Sequence, residues 1–258
     1  MDFIIICIAA FIGSLLTFFS GFGLGTLLVP VFGIFFPIEL AILMTAIVHF
    51  LNNLFKLLLT VRHADRNIVF RFGIPSVIAA LAGAWLFTEV SQLPPLFTYT
   101  VTEHSFSIEP VKLVIAFLLL IFSVLEMFPA LLNFNFRANH VLPAGGLLSG
   151  FFGGLSGHQG ALRSAFLIKL NLSKETFIAT GVAIACLVDF SRLSVYFINL
   201  PGMRLTINYI LLTAAVLAAF AGAYAGNRFL KKMTLQSIHR VVAAMLIVFA
   251  LFLGAGII

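Results

Sequence analysis

Six continuous apolar segments, at about 38–61, 68–87, 111–128, 174–198, 206–226 and 235–257, are each long enough to cross the hydrocarbon core of a bilayer. Two further apolar regions, 3–36 and 141–170, are too long for one straight span and are interrupted by glycines. Hydrocarbon offers no partner to a free backbone amide, so the spans are helices. A non-helical elbow between two of them must be buried in protein or line a wet cavity. The expected fold is an all-α membrane protein with about eight transmembrane segments. Composition agrees: the chain is 62% hydrophobic and 9% charged, whereas an ordinary soluble domain carries about 25% charged residues.

The two broken regions resemble each other across an ungapped offset of 136 residues. Ser20-Gly21-Phe22-Gly23-Leu24-Gly25 aligns with Ser156-Gly157-His158-Gln159-Gly160-Ala161, Glu39 with Glu175, Leu51 with Leu187, Asn53 with Asp189 and Lys56 with Arg192. Ala82-Gly83-Ala84 and Ala221-Gly222-Ala223 extend the likeness into the next span, where small residues let helices approach closely. We divide the single membrane domain into a first half, 1–128, a connecting loop, 129–140, and a second half, 141–258. Each half opens with a glycine-broken or re-entrant helix. Interrupted hydrophobic segments at matching places in two halves point to a transporter's binding site.

The loops give orientation. Arg62, His63, Arg66 and Arg71 place 62–71 in the cytoplasm, and Arg228, Lys231, Lys232 and Arg240 do the same for 227–240. The loop 88–110 carries Glu89, Glu103 and Glu109, and belongs outside. Its alternating run Thr98-Tyr99-Thr100-Val101 suits a small hairpin. The acidic 88–110 and basic 227–240 loops hold the same place in their halves, so the halves are expected to be inverted, with both termini outside; a pair of parallel four-span halves is the alternative.

Ionisable groups within spans are expensive and need a partner or a role. His49, Asn52, Asn53 and Lys56, at i, i+3, i+4 and i+7, share one helix face. Asp189, Arg192 and Tyr196 form the corresponding stripe in the second half. These stripes could face a central path, with Lys56 and Arg192 attracting an anion and Asp189 exchanging a proton. Equally, Asp189 and Arg192 could neutralise each other within one helix, and Lys56 could snorkel to an interface.

The second elbow adds Gly157, His158, Gln159, Arg163 and Ser164. A helix beginning near Gly160 offers free N–H groups to an anion, and Arg163 one turn in could clamp an oxyanion. The first elbow offers Ser20, Gly21 and main-chain donors. The expected substrate-binding set is therefore Ser20, Gly21, His49, Asn52, Asn53, Lys56, Gly157, His158, Gln159, Arg163, Ser164 and Arg192, with Asp189 for proton coupling.

There is no phosphate-binding P-loop, no HExxH, no GxSxG and no cluster with metal-ligand spacing, so neither an enzyme nor a cofactor or metal is expected. Cys7 and Cys186 read as small buried hydrophobes. The net charge of +6 sits mostly in loops, where it signals topology rather than nucleic-acid binding. The N-terminus has no basic residue ahead of its apolar run, so the run reads as mature protein. The expected partners are a small anionic substrate and the lipid bilayer; the sequence leaves the oligomeric state open.

With Ser20-Gly21-Phe22-Gly23-Leu24-Gly25 and Pro30 in the first elbow, and Gly154-Leu155-Ser156-Gly157 in the second, the chain resembles the sulfite exporter TauE/SafE family from about Phe3 to Ile257. The resemblance implies an eight-segment inner-membrane permease for small sulfur-containing anions such as sulfite or organosulfonates, with proton or ion coupling. The second elbow departs from the family pattern: His158-Gln159-Gly160-Ala161-Leu162-Arg163 stands where a run of glycines is usual, and Phe166 where a proline is. The reading that emerges is a secondary carrier. A passive anion channel, which shows no trans-stimulation, and a non-transporting membrane scaffold, indifferent to loss of Arg163, are the competing readings.

Overall fold

The structure is a computed structural model that describes residues 2–18, 23–102, 104–128, 138–200, 202, 206–229 and 236–258. Helices α1 (Asp2–Thr17) and α2 (Leu24–Gly33) flank the first elbow; α3 (Ile38–Thr60) and α4 (Arg66–Val90) follow. Strands β1 (Phe97–Val101) and β2 (His104–Ile108) lead to α5 (Pro110–Met127). The second half runs α6 (Ala138–Ser156), α7 (Gly160–Leu167), α8 (Lys174–Asn199), α9 (Tyr209–Phe229) and α10 (Gln236–Gly254).

Both broken regions are broken where glycine permits it. Gly23 caps α2 at φ 109°, and Gly157 breaks α6 from α7 at φ 84°, values that L-residues with a side chain rarely adopt. Helix starts carry the expected chemistry: the Asp65 side chain accepts from Ile68 N at 3.0 Å, and Ser173 Oγ accepts from Thr176 N at 3.2 Å. Helices α4 and α8, together with α3 and its following turn and Tyr209–Arg228 of α9, are long and apolar enough to cross a membrane. The other apolar helical stretches, in α1, α2, α5, α6 and α10, are shorter by this measure. The hairpin expected in 88–110 is present, antiparallel with Phe97 opposite Ile108 and Val101 opposite His104. Tyr99 ties it to the chain's end, donating to Ala255 O at 2.6 Å.

The outside of the molecule is apolar and the inside partly polar. Ile78, Phe117, Ile210 and Leu217 are exposed, while Asp189, Arg163 and Arg192 are buried. That inversion of the soluble pattern suits hydrocarbon as the surrounding solvent. Lipid supplies no hydrophobic drive between helices, so close contact must hold them. Glycines provide it. On α6, an added Cβ at Gly146, Gly150 or Gly154 would run into the carbonyls of Phe72, Ser76 and Ala80 on α4. Ser76 Oγ also donates to Gly146 O at 3.0 Å.

Helix pairings recur in matched sets. α1 packs on α9 and α6 on α4; α3 packs on α8 and α5 on α10. Gly222 on α9 abuts Phe11 O and Leu15 N of α1, just as Gly83 on α4 abuts Phe151 O and Leu155 N of α6. Phe11 and Leu15 thus stand where Phe151 and Leu155 stand, 140 positions on, whereas α2 and α7, and α3 and α8, begin 136 apart. The ungapped offset read from the sequence therefore fails before the elbow, because α1 stops at Thr17 while α6 continues to Ser156.

Candidate functional site

The centre of the molecule is the crossing of α3 and α8. The stripe His49, Asn52, Asn53 and Lys56 is buried on α3, and Asp189, Arg192 and Tyr196 are buried on α8. The 3.6-residue period that puts each set on one face also turns both faces inward.

Asp189 is the hub, and its four donors come from three elements. Oδ2 lies 2.6 Å from His49 Nδ1 and accepts from Asn53 Nδ2 at 3.2 Å. A carboxylate at that distance accepts from a protonated Nδ1, as in the Nδ1–H tautomer or the imidazolium. Oδ1 accepts from Gln159 Nε2 at 3.1 Å and from Arg192 Nε at 3.0 Å, with Arg192 Nη2 in ionic contact at 2.8 Å. Arg163 joins at one remove, its Nη1 donating to Gln159 Oε1 at 3.1 Å. Gln159 is itself held by Ser149, whose Oγ donates to its carbonyl at 2.9 Å.

The expected elements therefore meet. Gly25, in the first turn of α2, is positioned so that a Cβ there would lie 3.6 Å from both Gly157 O and the His49 ring. The N-terminus of α2, the second elbow and the middle of α3 thus share one place. A Cβ on Gly157 would come within 2.6 Å of Arg192 Nη1, so the elbow's glycine also makes room for the guanidinium.

Several donors in this region are buried without a hydrogen-bond partner: Arg192 Nη1, His158 Nε2 and Asn52 Nδ2. His158 stacks on Phe122 of α5, centroids 5.4 Å apart, and its Nδ1 lies 3.1 Å from Ser156 Oγ. Asn52 Oδ1 accepts from Ser14 Oγ of α1 at 3.1 Å. Lys56 sits farther along α3, its Nζ 5.5 Å from the centre of the Phe18 ring. It is buried and does not snorkel.

Of the expected binding residues, His49, Asn53, Gln159, Arg163 and Arg192 are joined with Asp189 in one network. Gly157 touches that network, Asn52 and Lys56 continue its face, and His158 lies on the α5 side. Ser164 is only half-buried, and no hydrogen bond joins its side chain to this network. Ser20 and Gly21 lie outside the described residues. The pairing of Asp189 with Arg192, one of two readings open from the sequence, is present. Ser14, Ser149 and Gly25 were not anticipated. Single small residues in apolar helices have no period, and only the faint polarity of Ser14 amid α1 could have drawn notice.

Helices of spanning length, an apolar exterior and a buried charged centre define an integral membrane protein with a polar interior. The chain belongs to the sulfite exporter TauE/SafE family, whose model matches residues 5–253. It is therefore a membrane anion permease or exporter and not an enzyme. No curated protein and no solved structure matches it.

Proposed function

We propose that the chain is a secondary carrier exporting sulfite or an organosulfonate across the cytoplasmic membrane, coupled to protons through Asp189. One observation carries this reading: two guanidiniums and only one carboxylate are buried together. Arg163 and Arg192 are each 1% exposed or less, and Asp189 is the one acidic residue among the buried polar side chains described. A guanidinium does not lose its proton in proteins. Buried positive charge is costly in a membrane, and two guanidiniums gathered at one carboxylate make a place that favours a further negative charge. A small oxyanion answers that need through Arg192 Nη1, Arg163, His158 and Asn52, with Ser164 and the elbow amides at its edge.

The halves are read as inverted, with the elbows re-entrant at mid-depth. The matched packing of α1 on α9 and α6 on α4 supports this. So does the direct bond from Asn53 to Asp189, because equivalent residues touch only beside a symmetry axis. Rocking of one element against the other about that axis would expose the anion to each side in turn. Protonation of Asp189 would release Arg192 to the anion, linking proton and anion movement.

The test is uptake into proteoliposomes of sulfite, sulfate, thiosulfate and short sulfonates, with and without a pH gradient. Sulfite or a sulfonate should move, with trans-stimulation, and the gradient should drive accumulation. Arg163→Gln and Arg192→Gln should each lower flux about 100-fold, the effect of losing a charge-assisted contact of roughly 2–3 kcal/mol. Unchanged flux in both variants would exclude the reading.

A further inference from the structure

A cavity of about 440 Å³ opens at the end of the molecule where α3 finishes and α8 begins, lined in part by Thr60, His63, Lys174, Glu175, Asn227 and Phe18. Its floor lies next to the buried stripe. Phe18 lines the cavity yet is 2% exposed, and its ring is the one that faces Lys56 Nζ at 5.5 Å. Thr60 lines the cavity too, and its Oγ1 donates to Lys56 O at 2.8 Å. Phe18 thus borders the cavity and also faces the buried Lys56 amine. Beyond Lys56 the same helix face leads through Asn53 and Asn52 to His49 and Asp189.

We propose that this cavity is a waiting site for the anion and that the Phe18 ring is the plug between it and the central cluster. The inference rests on the anion-carrier reading above. The chemistry of the ring explains why it would serve. Its electron-rich face attracts Lys56 and repels an anion. Ring and anion compete for the same ammonium, and a charge-assisted bond from Lys56 to an oxyanion is the stronger interaction. An anion held by the amine of Lys174 and the polar groups of His63, Thr60 and Asn227 thus displaces the ring and passes to Lys56. Glu175, the one carboxylate on this wall, disfavours a deeper, longer-lived hold.

Thiol accessibility tests the plug without requiring transport. In a Cys7→Ala, Cys186→Ala background, Asn53→Cys and Thr60→Cys, both with Lys56 kept to seat the ring, are treated from the His63 side with an anionic sulfonatoethyl methanethiosulfonate and with its trimethylammonium counterpart. The Thr60→Cys thiol should label readily whether or not Phe18→Ala is added, and faster with the anionic reagent. The Asn53→Cys thiol should label slowly and speed up at least 10-fold when Phe18→Ala is added. Should Asn53→Cys fail to reach the membrane, Asn52→Cys takes its place. A rate at the deeper thiol that ignores Phe18 overturns the plug even if anions are transported. Preference for the cationic reagent overturns the waiting site. Acceleration by Phe18→Ala upholds the plug even if the flux panel is negative, so the two readings fail separately.

Discussion

The polar stripes of α3 and α8 occupy equivalent places but carry different chemistry. On α3 the sequence runs His49, Asn52, Asn53, Lys56; on α8 it is Asp189, Arg192 and Tyr196. The difference is instructive at Asn53 and Asp189, which are 136 positions apart and hydrogen-bonded to each other at 3.2 Å. Two carboxylates this close could not both be ionised, and two asparagines would leave Arg192 without a counter-ion. One amide and one carboxylate, nearly identical in shape, satisfy both demands. The crossing of α3 and α8 fixes where polar groups meet, and the difference between the facing residues sets the charge.

The sharpest way to break this comparison is Asn53→Asp. It should lower stability by about 1–3 kcal/mol, because Asp189 loses an amide donor and two carboxylates this close cannot both ionise, and abolish flux. Asn53→Asp combined with Asp189→Asn moves the carboxylate from α8 to α3 and should recover much of the lost stability, though Arg192 would then sit on the wrong helix for full transport. Thermal unfolding in detergent and proteoliposome flux decide the matter. A double variant no better than the single one would mean the two positions are not interchangeable.

The elbows differ as the stripes do, and this gives the second test. Gly157→Ala would force a Cβ to within 2.6 Å of Arg192 Nη1, while Gly23→Ala would meet only Thr17 Cγ2, at 2.9 Å. Both glycines have positive φ, so each substitution should cost about 1–2 kcal/mol in backbone strain. Only Gly157→Ala should also cut flux, by about 10-fold or more. Equal flux in the two variants would show that the second elbow does not hold Arg192 in its working position.

Much of this arrangement was legible in the sequence. Four helices of spanning length announce themselves by length and apolarity, the elbows by glycine, and the hairpin by its two-residue alternation at Thr98–Val101. The meeting of Asn53 and Asp189 could be anticipated from their common offset. What could not be read was register across the first elbow. The packing of α1 follows Gly222 and that of α6 follows Gly83, and such steric contacts leave no mark on an ungapped alignment. Nor could the sequence choose between Arg192 free for an anion and Arg192 spent on Asp189. The structure has it partly engaged, with Nε bonded and Nη1 without a partner.

Gly83 and Gly222 sharpen the comparison at the level of packing. Each abuts a backbone carbonyl of the partner helix, so Gly83→Ala and Gly222→Ala should cost similar amounts, about 1–3 kcal/mol by the scale of overpacking. Gly202→Ala, with nothing within 4 Å of its Cβ, should leave the melting temperature unchanged. A large difference between the first two would mean that the matched pairings of α1 with α9 and α6 with α4 are not energetically equivalent.

A smaller effect than at Gly83 or Gly222 is expected at Tyr196. Its hydroxyl donates to Gly154 O on α6, while its counterpart 136 positions earlier, Thr60, donates to Lys56 O within its own helix. Tyr196→Phe keeps the ring against Phe87, centroids 5.0 Å apart, and removes the hydroxyl that bonds Gly154 O and neighbours Arg192. Gly154 O would lose that partner, at a cost of about 1 kcal/mol. Thr60→Val should cost less, because the Lys56 carbonyl still has its helical environment. If Tyr196→Phe lowered flux without lowering the melting temperature, the hydroxyl would be serving the anion path rather than joining α8 to α6. The division of labour between the stripes would then extend one turn further toward the end of α8.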